Sequence, residues 1–157
     1  MSPRILSPLP DGLYAKWEID LSLRYPLALS EMRWPSEPLG HMSTRALARW
    51  GIECRTGWRP IVERLLDRLE AEIRAQPLDM RDGCRIVQVK EKFGRLTVYL
   101  AKQATPAMWA AINEAGDEST KVCEVCGEPG ELAERSMFWS VRCDVHESWR
   151  PWDRPPA

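Results

Sequence analysis

Residues Cys84 to Ala101 read CRIVQVKEKFGRLTVYLA. Ile86 to Val89 is rich in β-branched apolar residues, which suit a pleated, half-buried strand. Leu96, Val98 and Leu100 recur at a period of two, which places them on one face of a second strand. Between the two lies Lys90-Glu91-Lys92-Phe93-Gly94-Arg95, where Gly94 supplies the positive φ that a tight turn needs. The stretch is therefore expected to form a β-hairpin.

Helical patterns flank it on both sides. Ser43 is a good N-cap for a first helix, and Gly51 is a good stop. Pro60 suits a first helical turn. Ile61, Leu65, Leu66, Leu69 and Ile73 then form one apolar stripe at helical spacing, ended by Pro77. The charged set Glu63, Arg64, Asp67, Arg68 and Glu70 is expected on the solvated face of that helix. A third helix is expected from Pro106 to about Thr120, burying Met108, Trp109, Ile112 and Ala115. Prolines at 3, 8, 10, 26, 35 and 38 predict an irregular arm over residues 1–40. Within it a short helix from about Trp17 to Tyr25 should lie across the domain, because Leu21, Leu23, Leu27 and Leu29 are too apolar for a free tail. The class is α+β: helices packed on a β-hairpin or small antiparallel sheet.

The third helix leads into VCEVCGEPGELAERSMFWSVRCDVHE, Val122 to Glu147, which gathers three of the five cysteines and one of the two histidines. Cys123-x-x-Cys126 is followed by Gly127, and Cys143-x-x-His146 comes 16 residues later. Two intervening residues put each pair on one tight knuckle or helical turn, so both members reach a single ion. Three thiolates and one imidazole complete a tetrahedron, which suits Zn²⁺. Met137 to Arg142 is expected as a strand returning to the second pair, and a short helix could begin at Asp144-Val145. That order is the treble-clef or zinc-ribbon arrangement. Four protein ligands leave no open coordination position, so the metal is expected to be structural. The expected organisation is an arm over 1–40, an α+β core over 41–120, and a zinc knuckle with a tail over 121–157.

The formal net charge is −1, which by itself points to no class of partner. Its distribution is uneven: residues 41–102 carry 13 basic and 8 acidic side chains, and residues 103–157 carry 5 basic and 10 acidic. No Gly-rich phosphate loop is present, and no nucleophile stands near a candidate base. Cys54 has Arg55 and Arg59 close in sequence, yet a small packed thiol is the better reading. His41 reads as an ordinary surface residue. Met1 to Pro10 holds no apolar core, so no secretory signal is expected, and no apolar run approaches the ~18–20 residues of a membrane span. With an odd cysteine count, a reducing, cytoplasmic setting is expected.

These readings predict a non-enzymatic binding protein. One candidate surface is acidic, with Glu124, Glu128, Glu131 and Glu134 facing a basic target and Trp149 and Trp152 as anchors. The alternative is a nucleic-acid-binding or transcription-regulating protein, with Arg55, Arg59, Lys90, Lys92 and Arg95 on phosphates and Phe93 stacked on a base. An enzyme of unrecognised type is the third reading.

Several motifs together carry a resemblance: Tyr25-Pro26; Gly51-Ile52-Glu53-Cys54 with Gly57-Trp58; Val87-Gln88-Val89-Lys90-Glu91-Lys92-Phe93-Gly94-Arg95-Leu96; and Cys123-Glu124-Val125-Cys126-Gly127 through Trp139 to Cys143-Asp144. Over about residues 25–146 the chain resembles a family of small uncharacterised zinc-binding proteins of bacteria and their phages and prophages. The resemblance implies zinc binding and a mobile-element origin, and it supplies no activity. Small proteins of such origin often block a host or rival protein, so an inhibitor of bacterial defence or a toxin-neutralising immunity protein is the expected role. Over about Ala107 to His146 the chain is also similar to zinc fingers of the DksA/TraR type, which act on RNA polymerase.

Overall fold

The structure is a computed structural model that describes residues 14–33 and 46–150. The readings placed on Ser43, His41 and Trp152 lie outside the described residues.

The expected long helix is α3, Arg59–Ala75, and the helix before the C-terminal element is α5, Pro106–Ser119. Both begin with proline in the first turn, and Thr105 caps α5 by accepting from the Met108 N–H at 3.2 Å. Ile61, Leu65, Leu66, Leu69 and Ile73 of α3 are all buried, as the stripe predicts. On α5 the buried positions are Met108, Ala111, Ile112 and Ala115, whereas Trp109 is 51 % exposed. Trp109 stands one residue, about 100°, off that stripe, so the helix turns it away from the core. Shorter helices complete the set: α1, Lys16–Arg24; α2, Ala46–Trp50; and α4, Leu78–Arg81.

The central sheet has three strands: β1, Ile52–Glu53; β2, Ile86–Lys92; and β3, Arg95–Leu100. β2 and β3 form the expected antiparallel hairpin, closed between Lys92 and Arg95 by Phe93 and Gly94. Both turn residues have positive φ, +53° and +75°, as in the type I′ turn that matches strand twist. β1 pairs in parallel with β2 through Ile52–Val89 and Glu53–Lys90. Two residues are too short for a periodic signal, so sequence reasoning did not find this strand.

Residues 14–33 are built into the core. Leu21, Tyr25, Ala28, Leu29 and Met32 are buried, while Leu23 is exposed, contrary to expectation, on the outer side of α1. The Tyr25 hydroxyl donates to Asp67 Oδ1 at 2.6 Å. Glu18 ties α1 to β1: one oxygen accepts from the Ala15 N–H at 2.8 Å and the other from the Ile52 N–H at 2.7 Å. Gly51, at φ +65°, leaves room for this, since a Cβ there would sit 2.2 Å from Glu18 Oε1.

The charged face of α3 is not simply solvated. Glu70 is buried and accepts from the Ala28 N–H at 2.8 Å and the Leu27 N–H at 3.1 Å. Arg64 and Arg68 pair with Glu118 and Glu114 of α5, and Arg95 pairs with Asp117 at 2.5 Å. Much of the charge asymmetry along the chain is thus met within the molecule.

The C-terminal element packs on the start of α3. The Gly57 N–H donates to Glu124 O at 2.9 Å, and buried Trp58 donates from Nε1 to Val122 O at 2.9 Å. A Cβ on Gly57 would lie 2.3 Å from Cys123 O and 2.6 Å from Glu124 C. Gly57→Ala should therefore cost at least about 2 kcal/mol in urea denaturation, because only backbone stands in the way. Gly83→Ala, which meets only the flexible Gln103 side chain, should cost less than about 1 kcal/mol.

Candidate metal centre

Cys123, Cys126, Cys143 and His146 come together as the spacing predicts. One ligand atom from each lies within 4.8 Å of all the others. Cys126 Sγ is 3.7 Å from Cys143 Sγ, and His146 Nδ1 is 3.3 Å from Cys143 Sγ and 3.7 Å from Cys123 Sγ. The imidazole therefore presents Nδ1, not Nε2, to the sulfurs.

The local chain explains the convergence. The first pair sits on a knuckle closed by the Gly127 N–H donating to Cys123 O at 2.8 Å, with Gly127 at φ +83°. The Cys123 N–H donates to Glu128 O at 2.7 Å. A hairpin follows, β4, Glu131–Arg135, with β5, Phe138–Arg142. It returns the chain to Cys143, and a short 3₁₀ turn, Asp144–His146, brings His146 back over it. The His146 N–H donates to Cys143 O at 3.0 Å. The Trp149 ring meets the His146 ring edge-on, centroids 4.9 Å apart, and the Arg55 guanidinium lies 5.9 Å from the Trp149 centroid.

The thiols differ in environment. Burial disfavours the Cys123 thiolate, but N–H groups of Cys126, Cys143 and Val125 together outweigh it, so its pKa is lowered. Cys126 is pushed up to about 11, first by burial and also by the neighbouring Cys143 and Cys123 sulfurs, against an opposing N–H bond from Glu128. A cation is what lets such crowded sulfurs ionise together, so metal loading must release protons.

Arg142 and Glu124 flank the cluster in sequence, each beside a ligand cysteine, and they form a buried ion pair. Arg142 is 1 % exposed, and its Nη1 also donates to Val141 O at 3.0 Å. Its Nε and Nη2 have no protein partner among the described residues. Sequence reasoning placed Glu124 on an acidic surface. The knuckle instead points it inward, where the guanidinium neutralises it. The only signal for this was a lone Arg in the strand leading to Cys143.

The other acids of that expected surface are exposed, and Glu128 and Glu131 line one open cavity of about 420 Å³ with Asp144 and Glu147. Glu131 and Glu134 lie three apart on β4, on opposite faces of the hairpin, and Glu128 belongs to the knuckle. Trp149 is packed on His146, as described.

The basic set is divided as well. Arg55 donates to Arg150 O at 2.8 Å. Arg59 lies over the Trp17 ring, 4.4 Å from its centroid, and Arg95 is held by Asp117. Lys90, Lys92 and Phe93 remain together at the β2–β3 hairpin. Phe93 is 71 % exposed, not folded beneath the turn.

Cys54 fits the packed-thiol reading. Burial, then the charges of Glu124 and Glu18, push it up to about 12, outweighing Arg59. Glu91, which lines an open cavity of about 290 Å³ with Cys54 and Glu124, is also raised. Burial is the leading cause; the Gly94 N–H bond pulls it back, Glu124 raises it further, and Arg142 lowers it.

No protein-family model, no curated protein and no solved structure matches this chain. Among the described residues no helix is long and apolar enough to cross a membrane.

Removing either partner of the buried pair should cost about 3–5 kcal/mol, because it strands the other charge. Glu124→Met and Arg142→Met are the single variants. The double variant Glu124→Met/Arg142→Met should recover most of the loss in a denaturation cycle.

Proposed function

We propose that this chain is a non-enzymatic binding protein stabilised by one structural zinc ion, and that it works by engaging a macromolecular partner. The observation that carries the reading is the Cys₃His cluster. In a tetrahedral zinc site, sulfurs at about 2.3 Å and a nitrogen at about 2.0–2.1 Å lie about 3.5–3.8 Å from one another. Three of the six separations between ligand atoms, at 3.3–3.7 Å, are close to that, and all lie within 4.8 Å. Three soft thiolates and an imidazole favour zinc over the hard cations. With all four positions supplied by protein, none remains for a substrate or an activated water.

Zinc here would fix the knuckle and the base of the β4–β5 hairpin, against which the β2–β3 turn packs. The β2–β3 turn meets the β4–β5 hairpin: a Cβ on Gly94 would touch Leu132 Cδ1 at 2.2 Å and would lie 3.4 Å from Ser140 N. Phe93 and Trp139 flank that contact, and both are exposed, as are Met137 and Phe138 at the second tip. Exposed aromatics grouped beside a rigid cross-link are the composition of a binding surface. The mobile-element origin implied by the resemblance would make inhibition or neutralisation of a host or rival macromolecule the setting for such binding.

Purified protein should contain one zinc per chain by elemental analysis. Cys143→Ala should lose it and melt at a clearly lower temperature, as should wild-type protein treated with a strong chelator. For the binding reading, immobilised zinc-loaded protein should retain a stoichiometric partner from bacterial lysate, and Phe93→Ser/Trp139→Ser should release it. Retention unchanged by that double variant would refute the hairpin surface.

A further inference from the structure

The register of the central sheet separates two faces. Val89–Val98 and Glu91–Leu96 pair on the inner one, where Val89, Val98 and Leu96 are buried. Gln88–Tyr99, Lys90–Thr97 and Lys92–Arg95 pair on the outer one, and the parallel pair Glu53–Lys90 adds Glu53 to it. Tyr99 is 39 % exposed there. The Lys90 ammonium lies 5.7 Å from the Tyr99 ring centroid, and the Lys92 ammonium lies 5.9 Å from that of Phe93.

Three observations single this face out. First, among the described residues its lysines form no ion pair. Arg64, Arg68 and Arg95 are matched to carboxylates of α5, whereas among the described residues neither Lys90 nor Lys92 forms a salt bridge, and the nearby acid, Glu53, is engaged by Gln88 Nε2 at 3.2 Å. Second, the spacing is regular. Alternate residues of a strand stand about 7 Å apart on one face, which sets the spacing of Lys90 and Lys92, and each ammonium has one ring beside it, Tyr99 and Phe93 respectively. Third, Phe93 is a costly residue for its place, because the hairpin turn demands positive φ but not an aromatic side chain. It holds φ +53° at a turn position where asparagine or glycine is far less strained, and it leaves its ring in solvent. Strain of this kind gathers where a side chain is displayed for use.

Resting on the binding reading above, we propose that this face takes a short single-stranded nucleic acid. Bases would stack on Tyr99 and Phe93, and Lys90 and Lys92 would meet the phosphates. Bases supply π-faces that stack on exposed rings regardless of sequence, and two ammonium groups outside any salt bridge match a polyanion in a way they would not match an apolar peptide. Duplex fits poorly, because its bases are already stacked on one another.

The test is fluorescence anisotropy with a labelled oligothymidylate and the zinc-loaded chain, against a duplex of equal length. Tyr99→Ala should weaken binding by about five-fold or more and Tyr99→Phe should restore it, since stacking needs only the ring. Phe93→Asn should weaken binding similarly while folding at least as stably as wild type, because asparagine suits the turn. Lys90→Ala/Lys92→Ala should reduce the slope of log affinity against log salt by about 1.4, roughly 0.7 for each phosphate that is no longer neutralised. Zinc content and circular dichroism of each variant serve as folding controls.

Absent binding by wild type, or binding indifferent to Tyr99→Ala and Phe93→Asn, overturns the proposal. Equal affinity for duplex, abolished only by removing the lysines, overturns it too, since that is charge attraction without stacking. If the oligonucleotide fails while a nuclease-resistant protein is retained and then released by Phe93→Ser/Trp139→Ser, the partner is a protein and the broader binding reading survives. If neither is bound, both readings fall.

Discussion

The backbone contact between Gly57 and the cysteine knuckle governs how the rest of the molecule is assembled. Gly57 donates its N–H to Glu124 O, and its missing side chain lets the Cys123–Glu124 peptide approach within the space a Cβ would fill. Trp58 then fills the core beneath and donates its indole N–H to Val122 O. Three elements meet at this one place: the start of α3, the end of α5 and the first ligand pair. A metal held by that cluster would do more than staple a tail, because ordering the knuckle would also order the seat of the longest helix. The coupling runs both ways: a preformed seat lowers the entropy lost when the ligands close on an ion.

The Glu124–Arg142 pair is the second consequence of that geometry. Both residues adjoin ligand cysteines, so the same folding step that assembles the ligands buries both charges. Such a pair is a poor source of net stability compared with apolar residues of equal size. It does penalise any arrangement in which only one partner is buried. That fits a small element with little core of its own: Val141 is the residue of β5 that joins the main hydrophobic cluster, and Leu132 of β4 packs beside it. Specific pairing can define the register of a hairpin that hydrophobic contact alone would leave underdetermined.

How much was legible in the sequence depends on how local each signal is. Helices α3 and α5 announced themselves through a stripe repeated over several turns, and the β2–β3 hairpin through alternation around a glycine turn. The four ligands were legible because short spacings in cysteine and histidine have few other uses in a chain that holds so few of them. What escaped were features that depend on two distant segments. β1 is two residues long and exists because β2 offers it an edge. Glu70 lies on the polar side of its helix by sequence, yet the Leu27 and Ala28 amides arrive from elsewhere and bury it. Glu124 is polar in a polar loop until Arg142 is brought beside it. The charge asymmetry misled for the same reason: basic and acidic thirds of the chain become facing sides of α3 and α5, where exposed ion pairs contribute little individually.

The two hairpin tips carry the remaining argument. Each closes with two residues at positive φ, Phe93-Gly94 in one and Ser136-Met137 in the other. Only one of the four is glycine. A left-handed conformation costs a residue with a Cβ about 1–2 kcal/mol, and burial can offset that by packing the side chain. Neither Phe93 nor Met137 has this compensation, since they are 71 % and 86 % exposed. Closing each hairpin demands this conformation, but glycine or asparagine would meet the demand at lower cost than Phe93 or Met137. A domain of this size has a narrow margin of stability. Two large apolar side chains held outward at strained turn positions are what the proposed binding surface would account for.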